Sequence, residues 1–513
     1  MSVNPRRRPG LSLSPRRQPQ EVSPLIPAKR LIPLIVACGL FMESLDSTVL
    51  STSLPAIAAS LNEDPISLKL ALTSYLLSLA VFIPISGWVA DKYGARTVFM
   101  AAIAVFTAGS MLCGLSNSLA EFVVFRILQG IGGAMMVPVG RLVILRAVPR
   151  SELITALAWL TIPALIGPVI GPPLGGFITT YFNWRWIFYV NVPIGALGLF
   201  LAWKFIANIA EPHSPPLDKT GFMLSSLGLS SFVFGLALLG DNAASLRTGL
   251  SLTAAGLAVC AVYVWHAGRT DHPVIDLKLL RIPTFRAGVI GGSLFRIGIG
   301  AIPFLLPLML QLSFGLTPFQ SGAITFVSSV GAILMKTTAA PIIRRFGFRK
   351  TLIVNSLISS AFLAAIGLFT AETAHAVIIA TLLVGGFFRS LEFTAVNAMS
   401  YADIDQPDMS RATSFASMMQ QLSLSLGVAI GAMVLHGARG MRGESAIAHA
   451  DFALAFGIVA AISALSTLSF VRLPPGAGKA LAAEPETAAA TAVPAGARQS
   501  LAAARMPIIE PER

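Results

Sequence analysis

Two acidic residues stand three positions apart in a long apolar stretch near the start of the chain, Glu43 and Asp46 in the segment ESLDST. Residues at this spacing share one face of a helix, so the two carboxyl groups are predicted to lie side by side. Removal from water and mutual repulsion both favour the protonated form of such a pair. This suits a site that takes up and releases a proton. The alternative is that both acids are locked in ion pairs with a base.

One arginine, Arg126, opens the segment RILQGIGG inside another apolar stretch. A guanidinium in the middle of a membrane costs on the order of a few kcal/mol or more, so it must face a polar cavity or an acidic partner. Arg126 stands about six residues from one end of its predicted helix. Snorkelling of the side chain to the membrane interface is therefore the alternative.

The segment GWVADKYGAR predicts a tight hairpin between two helices. Gly87 is expected to allow close helix approach, Asp91 to end the helix, Gly94 to supply the turn conformation and Arg96 to add a base. A carboxylate placed there can cap a neighbouring helix N-terminus in only one conformation. This favours a gate over an ordinary charged hairpin.

A fourth segment, GPVIGPPLGG, combines regularly spaced glycines with prolines. Gly167, Gly171 and Gly175 are four apart and form one side-chain-free stripe, which suits close helix packing. Pro168 and Pro172 remove backbone donors and kink the helix. Plain packing of an ordinary span is the alternative.

Four charged residues lie inside apolar stretches of the second half: Arg296, Lys336, Arg389 and Glu392. We expect them to line a substrate cavity. Glu392 follows Arg389 by three residues and could simply neutralise it. Three bases with one acid indicate an anionic or zwitterionic substrate, such as a carboxylate metabolite or its metal chelate.

The composition excludes a soluble protein. Of 513 residues, 55% are hydrophobic and 12% charged, and the mean hydropathy is +0.75. A soluble domain carries about 25% charged residues, so this chain cannot cover a water-facing surface. Its apolar blocks are as long as a membrane span, which needs about 20 residues to cross roughly 30 Å of hydrocarbon.

These blocks predict an all-α integral membrane fold with fourteen spans. The predicted helices lie at 31–58, 68–90, 97–116, 120–145, 152–181, 186–208, 221–240, 248–267, 285–312, 320–343, 350–370, 375–400, 411–436 and 452–472. Of the 37 Lys and Arg residues, 28 fall in the tails and in the loops on the side of the tails, and five fall in loops on the other side. Since Lys and Arg accumulate on the cytoplasmic side, both termini are predicted to be cytoplasmic.

The net charge of +13 is therefore a topology signal and an attraction for anionic lipid headgroups, and it does not indicate nucleic-acid binding. Three cysteines without paired spacing exclude a disulfide framework and a zinc knuckle. The sequence contains no GxxxxGK[ST] segment for ATP, no catalytic triad and no metal-ligand cluster. We expect no enzyme activity, no metal and no cofactor.

The hairpin GWVADKYGAR has a weaker second copy, APIIRRFGFR, in which Arg344 replaces Asp91. Two similar halves of six helices are typical of transporters built from repeats, and helices 7 and 8 then form an inserted pair. The predicted organisation is a disordered basic tail at 1–30, a six-helix bundle at 31–208, the inserted pair with its linkers at 209–284, a second six-helix bundle at 285–472 and a disordered tail at 473–513.

Five stretches resemble the signature motifs of the major facilitator superfamily, specifically of its fourteen-helix drug:proton antiporter subfamily. LDSTVLSTSLPAI is similar to the helix-1 motif, GWVADKYGAR to the helix 2–3 gate, RILQGIGG to the helix-4 arginine motif, GPVIGPPLGG to the helix-5 antiporter motif and WRWIFYVNVPIG to the entry into helix 6. The resemblance covers about 31–472. It implies that Asp91 and Arg96 latch the cytoplasmic gate. It also implies that Gly167, Pro168 and Gly171 hold the interface between the halves during exchange.

The resemblance also implies that Asp46 matches the acid used in coupling and that Arg126 tunes proton binding; Glu43 is assigned on physical grounds alone. The predicted function is proton-coupled export of drugs or other amphipathic small molecules across the inner membrane by alternating access. The alternative is an exporter of anionic metabolites or metal chelates with the same fold and coupling. We expect a monomer whose partners are its small-molecule substrate, protons and membrane lipid.

Overall fold

The computed structural model describes residues 28–148, 153–208, 216–239, 243–443 and 446–478, and all regular structure in these ranges is helical. Side chains are not described at 28–30, 153–165, 243 and 244. The predicted tails at 1–30 and 473–513 lie outside the described residues, except for 28–30 and 473–478.

Thirteen helices of the described part are long and apolar enough to cross a membrane, and α5, of 29 residues, lies between the fourth and fifth of them. The fourteen helices are α1 Leu31–Leu61, α2 Pro65–Tyr93, α3 Ala95–Leu115, α4 Leu119–Ala147, α5 Leu153–Tyr181, α6 Trp186–Phe205, α7 Lys219–Leu238, α8 Ser245–Ala267, α9 Pro283–Ser313, α10 Pro318–Phe346, α11 Phe348–Ile366, α12 His375–Ser400, α13 Gln406–Arg442 and α14 His449–Val471. Most bounds agree with the predicted ones within a few residues, and α13 extends six residues further at its end.

Tight turns join α2 to α3 and α10 to α11. Gly94 and Gly347 connect these helices with φ of 90° and 73°, a backbone region that favours glycine. We call the end of the molecule that carries both turns the hairpin end, and the other the opposite end. A Cβ on Gly87 would meet nothing within 4 Å, so the expectation that Gly87 permits close helix approach is wrong for this conformation.

The helices form two bundles, α1–α6 and α9–α14, called here the N-bundle and the C-bundle. Within the N-bundle, α1 packs against α5, and α4 packs against both α2 and α3. Within the C-bundle, α9 packs against α13, and α12 packs against α10 and α11. The bundles meet along two helix pairs, α5 with α10 and α2 with α13.

The inserted pair, α7 and α8, packs beside one of these seams. Its residues Val233 and Tyr263 share one hydrophobic cluster with Leu77 of α2 and with Phe415 and Met418 of α13. The helix α7 therefore contacts both bundles. The linker that follows, predicted as a polar connector, contains a short 3₁₀ helix at Leu277–Arg281 and contributes the buried side chains of Ile275 and Leu279 to the same cluster.

Polar contacts hold the bundles together at the opposite end. Gln311 of α9 donates to the Thr52 carbonyl oxygen at 2.9 Å, and the Phe319 N–H donates to Thr180 Oγ1 at 3.0 Å. An ion pair joins Arg439 Nη1 of α13 to Asp64 Oδ2 at 2.6 Å. These three contacts close the molecule at that end.

Candidate functional site

A buried ion pair occupies the interior of the N-bundle. Arg126 Nη1 of α4 lies 2.6 Å from Asp46 Oδ2 of α1, and the two residues are 0% and 1% exposed. The guanidinium also lies over the ring of Tyr75, 4.2 Å from its centroid, and its Nε donates to the Ala71 carbonyl oxygen at 3.4 Å. Arg126 is completely buried, so it does not snorkel, and its partner is one of the two acids predicted to act together.

Amide side chains complete the binding of the Asp46 carboxylate. Gln129 Nε2 donates to Asp46 Oδ1 at 2.8 Å, and Asn191 Nδ2 approaches the same oxygen at 3.4 Å. Gln129 Oε1 in turn accepts from Arg126 Nη1 at 2.7 Å. Gln129 and Asn191 lie within the motifs RILQGIGG and WRWIFYVNVPIG, but no role was predicted for them. The signal that could have found them is an amide side chain in an otherwise apolar helix.

Glu43 is placed differently from Asp46. Its Oε2 is buried and makes no hydrogen bond within the described part of the chain, and Asp46 and Arg141 are the charged groups that act on it electrostatically. The hydroxyl of Tyr75, on which Glu43 also acts, is likewise buried without a hydrogen bond to a described residue. The structure therefore combines one acid held in an ion pair with one acid whose carboxyl group is not bound.

Arg141, for which no role was predicted, acts electrostatically on one residue of each bundle. It is an exposed residue of α4 near the hairpin end. Burial raises the pKa of the Tyr401 phenol, which follows the end of α12, while the charges of Arg141 and Arg296 oppose this rise. The charge of Arg141 therefore acts on Glu43 of the N-bundle and on Tyr401 of the C-bundle.

Asp91 forms an ion pair at the hairpin end, but its partner differs from the expected one. Arg146 Nη2 at the end of α4 lies 2.6 Å from Asp91 Oδ1. Arg96 makes no hydrogen bond or ion pair with a described residue, so the implied Asp91–Arg96 latch is not formed in this conformation. Asp91 also lies before the last two residues of α2 rather than at its end, because the helix continues to Tyr93.

The glycine stripe of α5 lies against α1 of its own bundle. A Cβ on Gly167 would press on Ser44, one on Gly171 would collide with Thr48, and one on Gly175 would collide with the Val49 carbonyl oxygen. The resemblance places Gly167 and Gly171 at the interface between the halves during exchange; in this conformation their missing side chains admit α1 of the same bundle.

The proline side of α5 contacts the C-bundle instead. Ser329 of α10 donates to the Pro168 carbonyl oxygen at 3.1 Å, and a Cβ on Gly322 of α10 would collide with the Pro172 carbonyl oxygen. Pro168 therefore lies at the interface where the resemblance places it, and Pro172 lies there as well.

The four charged residues predicted to line a cavity in the C-bundle do not pair with one another. Arg389 of α12 hydrogen-bonds Ser328 of α10, whereas Glu392 accepts from Asn355 Nδ2 of α11 at 2.8 Å. The expectation that Glu392 neutralises Arg389 is wrong, because the two side chains leave α12 toward different helices. Arg296 Nη2 donates to Asn397 Oδ1 at 2.6 Å.

Lys336 Nζ of α10 donates to Thr394 Oγ1 of α12 at 3.0 Å. Across the described residues, no group of three or more His, Cys, Asp and Glu side chains is arranged to hold a metal ion.

The family model of the Major Facilitator Superfamily matches residues 36–265 and 288–509. This chain belongs to the major facilitator superfamily. It is a membrane transporter and not an enzyme, and it is a multi-pass protein of the inner membrane. The match begins in α1 and spans both bundles and the inserted pair.

Relatives support this assignment along most of the chain. It is 38% identical over 448 residues to a "Putative multidrug resistance protein MdtD" of Salmonella paratyphi A, with 86% of this chain and 94% of the relative covered. A protein with the same description in Pectobacterium atrosepticum is 38% identical over 445 residues, with 86% and 95% covered.

Solved structures show the same fold at low sequence identity. A D-xylose–proton symporter matches with a TM-score of 0.62 at 15% identity, covering 87% of this major facilitator chain and 98% of its own. An auto-inhibited peptide transporter of the POT family matches with a TM-score of 0.63 at 17% identity, with 87% and 97% covered. At these identities the likeness concerns the fold alone.

Proposed function

We propose that this transporter exports drugs or other amphipathic small molecules across the inner membrane in exchange for protons. The description of the relatives as multidrug resistance proteins, over nearly their whole length, supports the substrate class. It favours drugs over the anionic metabolites or metal chelates considered as the alternative. The observation that carries the proton coupling is the pair of membrane-embedded acids on α1, one ion-paired and one unbound.

Glu43 is the acid that exchanges protons with the cavity in this proposal. Its unbound oxygen can accept a proton without breaking an existing contact within the described residues. Asp46, in contrast, would have to release Arg126 before it could be protonated. Protonation at Asp46 would free the guanidinium to seek new partners, so it would change the packing of α1 against α4.

The arrangement of the bundles indicates how the substrate site gains access to each side of the membrane in turn. The bundles are joined at the opposite end by the Asp64–Arg439 pair and its neighbours, and they would have to part there to release substrate. We propose fourteen spans with both termini in the cytoplasm, supported by the excess of Lys and Arg on that side. The hairpin end is then cytoplasmic, and the end at which the Asp64–Arg439 pair joins the bundles is on the outer side.

The membrane potential is sufficient to drive such an exchange. Moving one charge across the membrane yields about 2.3 kcal/mol per 100 mV, which corresponds to a concentration ratio of roughly fifty. One proton per substrate can therefore sustain a substantial gradient of a neutral compound.

Everted membrane vesicles energised by a pH gradient test the coupling. Addition of rhodamine B, an amphipathic dye that carries a carboxylate, should dissipate the gradient in vesicles that contain the wild-type protein, because each dye taken up releases protons. Glu43→Gln and Asp46→Asn should abolish this release, since an amide cannot carry a proton. Dye equilibration down its own gradient should persist.

Glu63→Gln is the matched control, because Glu63 is an exposed acid of the α1–α2 loop. It should leave the dye-dependent release unchanged. Full proton-driven transport by both Glu43→Gln and Asp46→Asn would contradict the proposed coupling site.

A further inference from the structure

Three basic side chains of the C-bundle lie at successive levels of α12, between Arg389 and Asn397, a span of about 12 Å along the helix axis. Arg389 lies on this stretch and bonds Ser328, Lys336 reaches Thr394 from α10, and Arg296 reaches Asn397 from α9. The guanidinium carbon of Arg296 also lies 5.2 Å from the centroid of the Phe393 ring. Every hydrogen-bond partner of these bases is a neutral side chain.

No acid compensates these charges within the described part of the chain. Glu392, the carboxyl residue nearest in sequence to Arg389, is fully buried on the side of α12 that faces Asn355 of α11. Arg389 and Arg296 are only 8% and 4% exposed. Arg389 Nη1 and Arg296 Nε are buried without any hydrogen bond to a described residue.

In the N-bundle, an acid compensates the charge of the buried arginine. There Arg126 is fully buried and has Asp46 at 2.6 Å. A buried charge without a partner is strongly destabilising, and charged residues inside membrane proteins pair with one another or face a substrate pathway. The two buried guanidinium groups of the C-bundle therefore require an anion that the described residues do not supply.

We propose that Arg389 and Arg296, at separate levels of α12 with Lys336 between them, are binding positions for the anionic group of an amphipathic substrate. The inference rests on the proposed export function and names a subsite within it. A carboxylate suits this subsite, because a guanidinium binds it with paired hydrogen bonds. The ring of Phe393 offers an apolar surface for the adjoining part of such a molecule.

The internal repeat relates the acid of the N-bundle to a base of the C-bundle. The turn glycines Gly94 and Gly347 are 253 residues apart, and the same offset relates Glu43 to Arg296. The N-bundle therefore carries an acid where the C-bundle carries a base. In this proposal the acid of the N-bundle holds the proton, and the base of the C-bundle holds the anionic group of the substrate.

Binding of two probes with one apolar body tests the subsite. Pyrenebutyrate carries a carboxylate, and pyrenebutanol is its neutral counterpart. The purified full-length protein, in neutral detergent without added anionic lipid, should bind pyrenebutyrate about tenfold or more tightly than pyrenebutanol, as hydrogen bonds to a charged group imply. Fluorescence anisotropy measures both affinities without a proton gradient.

At least one of Arg389→Gln and Arg296→Gln should remove most of the preference for pyrenebutyrate and leave the affinity for pyrenebutanol within about twofold. Using both variants keeps the test valid if one of them fails to fold. Arg281→Gln is the matched control, because Arg281 is an exposed base of the linker before α9, and it should keep the preference. Equal binding of the two probes by the wild type would overturn the inference, as would an equal loss for both probes in the two variants.

Competing anions distinguish the source of the ligand. Displacement of pyrenebutyrate by chloride at physiological concentration would assign the subsite to a counter-ion, and displacement by phosphatidylglycerol would assign it to a lipid headgroup. Either result would overturn the assignment to substrate. Glu43→Gln should retain the pyrenebutyrate preference. If binding behaves as expected but vesicles show no proton-coupled export, the proposed function fails and the anion subsite stands.

Discussion

The Asp46–Arg126 pair has a structural role that must be separated from its role in coupling. Removing one partner of a buried pair leaves the other charge uncompensated and costs about 3–5 kcal/mol. Asp46→Asn should therefore lower the thermal stability of the purified protein markedly. The double variant Asp46→Asn/Arg126→Gln should recover most of that loss, because no buried charge remains.

Thermal unfolding followed by size-exclusion chromatography measures both variants. We expect the stable double variant to remain inactive in proton-driven export, since neither side chain can exchange a proton. If the double variant were as unstable as the single one, the packing of these side chains, rather than their charge, would determine the stability of the site.

A charged side chain in an apolar helix is visible in the sequence, and for this reason Asp46, Arg126 and Arg389 could all be selected as candidates. Their partners could not be selected in the same way. The spacing of Arg389 and Glu392 suggests a pair on one helix, yet the two side chains extend to Ser328 and to α11 respectively. Which neighbouring helix a side chain faces depends on the rotation of α12, and the spacing of charges along one helix does not determine it.

At the scale of elements, the contact between α1 and α5 depends on glycine. A Cβ on Gly171 would collide with the side chain of Thr48, whose hydroxyl donates to the Ser44 carbonyl oxygen at 2.8 Å. We expect Gly171→Ala to force α5 away from α1 and to lower stability by about 1–3 kcal/mol, the usual cost of overpacking. The variant should also slow transport, because α1 carries both acids.

Gly87→Ala is the matched control for this prediction, because open space surrounds Gly87 within 4 Å. The thermal stability of Gly171→Ala should be lower than that of Gly87→Ala. Equal stability would show that α1 and α5 can move apart without cost.

The helices themselves were predictable because long apolar blocks between charged loops leave few alternatives in a membrane. The helix that contacts the glycine stripe of α5 could not be predicted in this way. Glycines four residues apart indicate close packing, but the stripe itself carries no information about whether α1 or α10 fills it. The prolines on the other side of α5 supply the interface with the C-bundle.

At the scale of the whole molecule, the ion pair between Asp64 and Arg439 favours the conformation closed at the opposite end. Its side chains are 36% and 16% exposed, and pairs of this kind contribute about 0.2–1 kcal/mol. Loss of the pair should therefore raise the fraction of molecules open at that end by at most about fivefold.

Asp64→Asn is a suitable change, because the Asp64 side chain also accepts the Ile66 N–H at 2.8 Å and an asparagine oxygen can still do so. Arg439→Gln removes the same pair from the other bundle. Spin labels at Asn117 and Glu372, exposed residues of the two bundles near the opposite end, should report a larger population of long distances in each variant. The double variant Asp64→Asn/Arg439→Gln should show the same population of long distances as each single variant, since both changes remove the same ion pair. Additive effects would mean that Asp64 and Arg439 act through separate contacts, and the bundles would then be held together at this end by Gln311 and Phe319 instead.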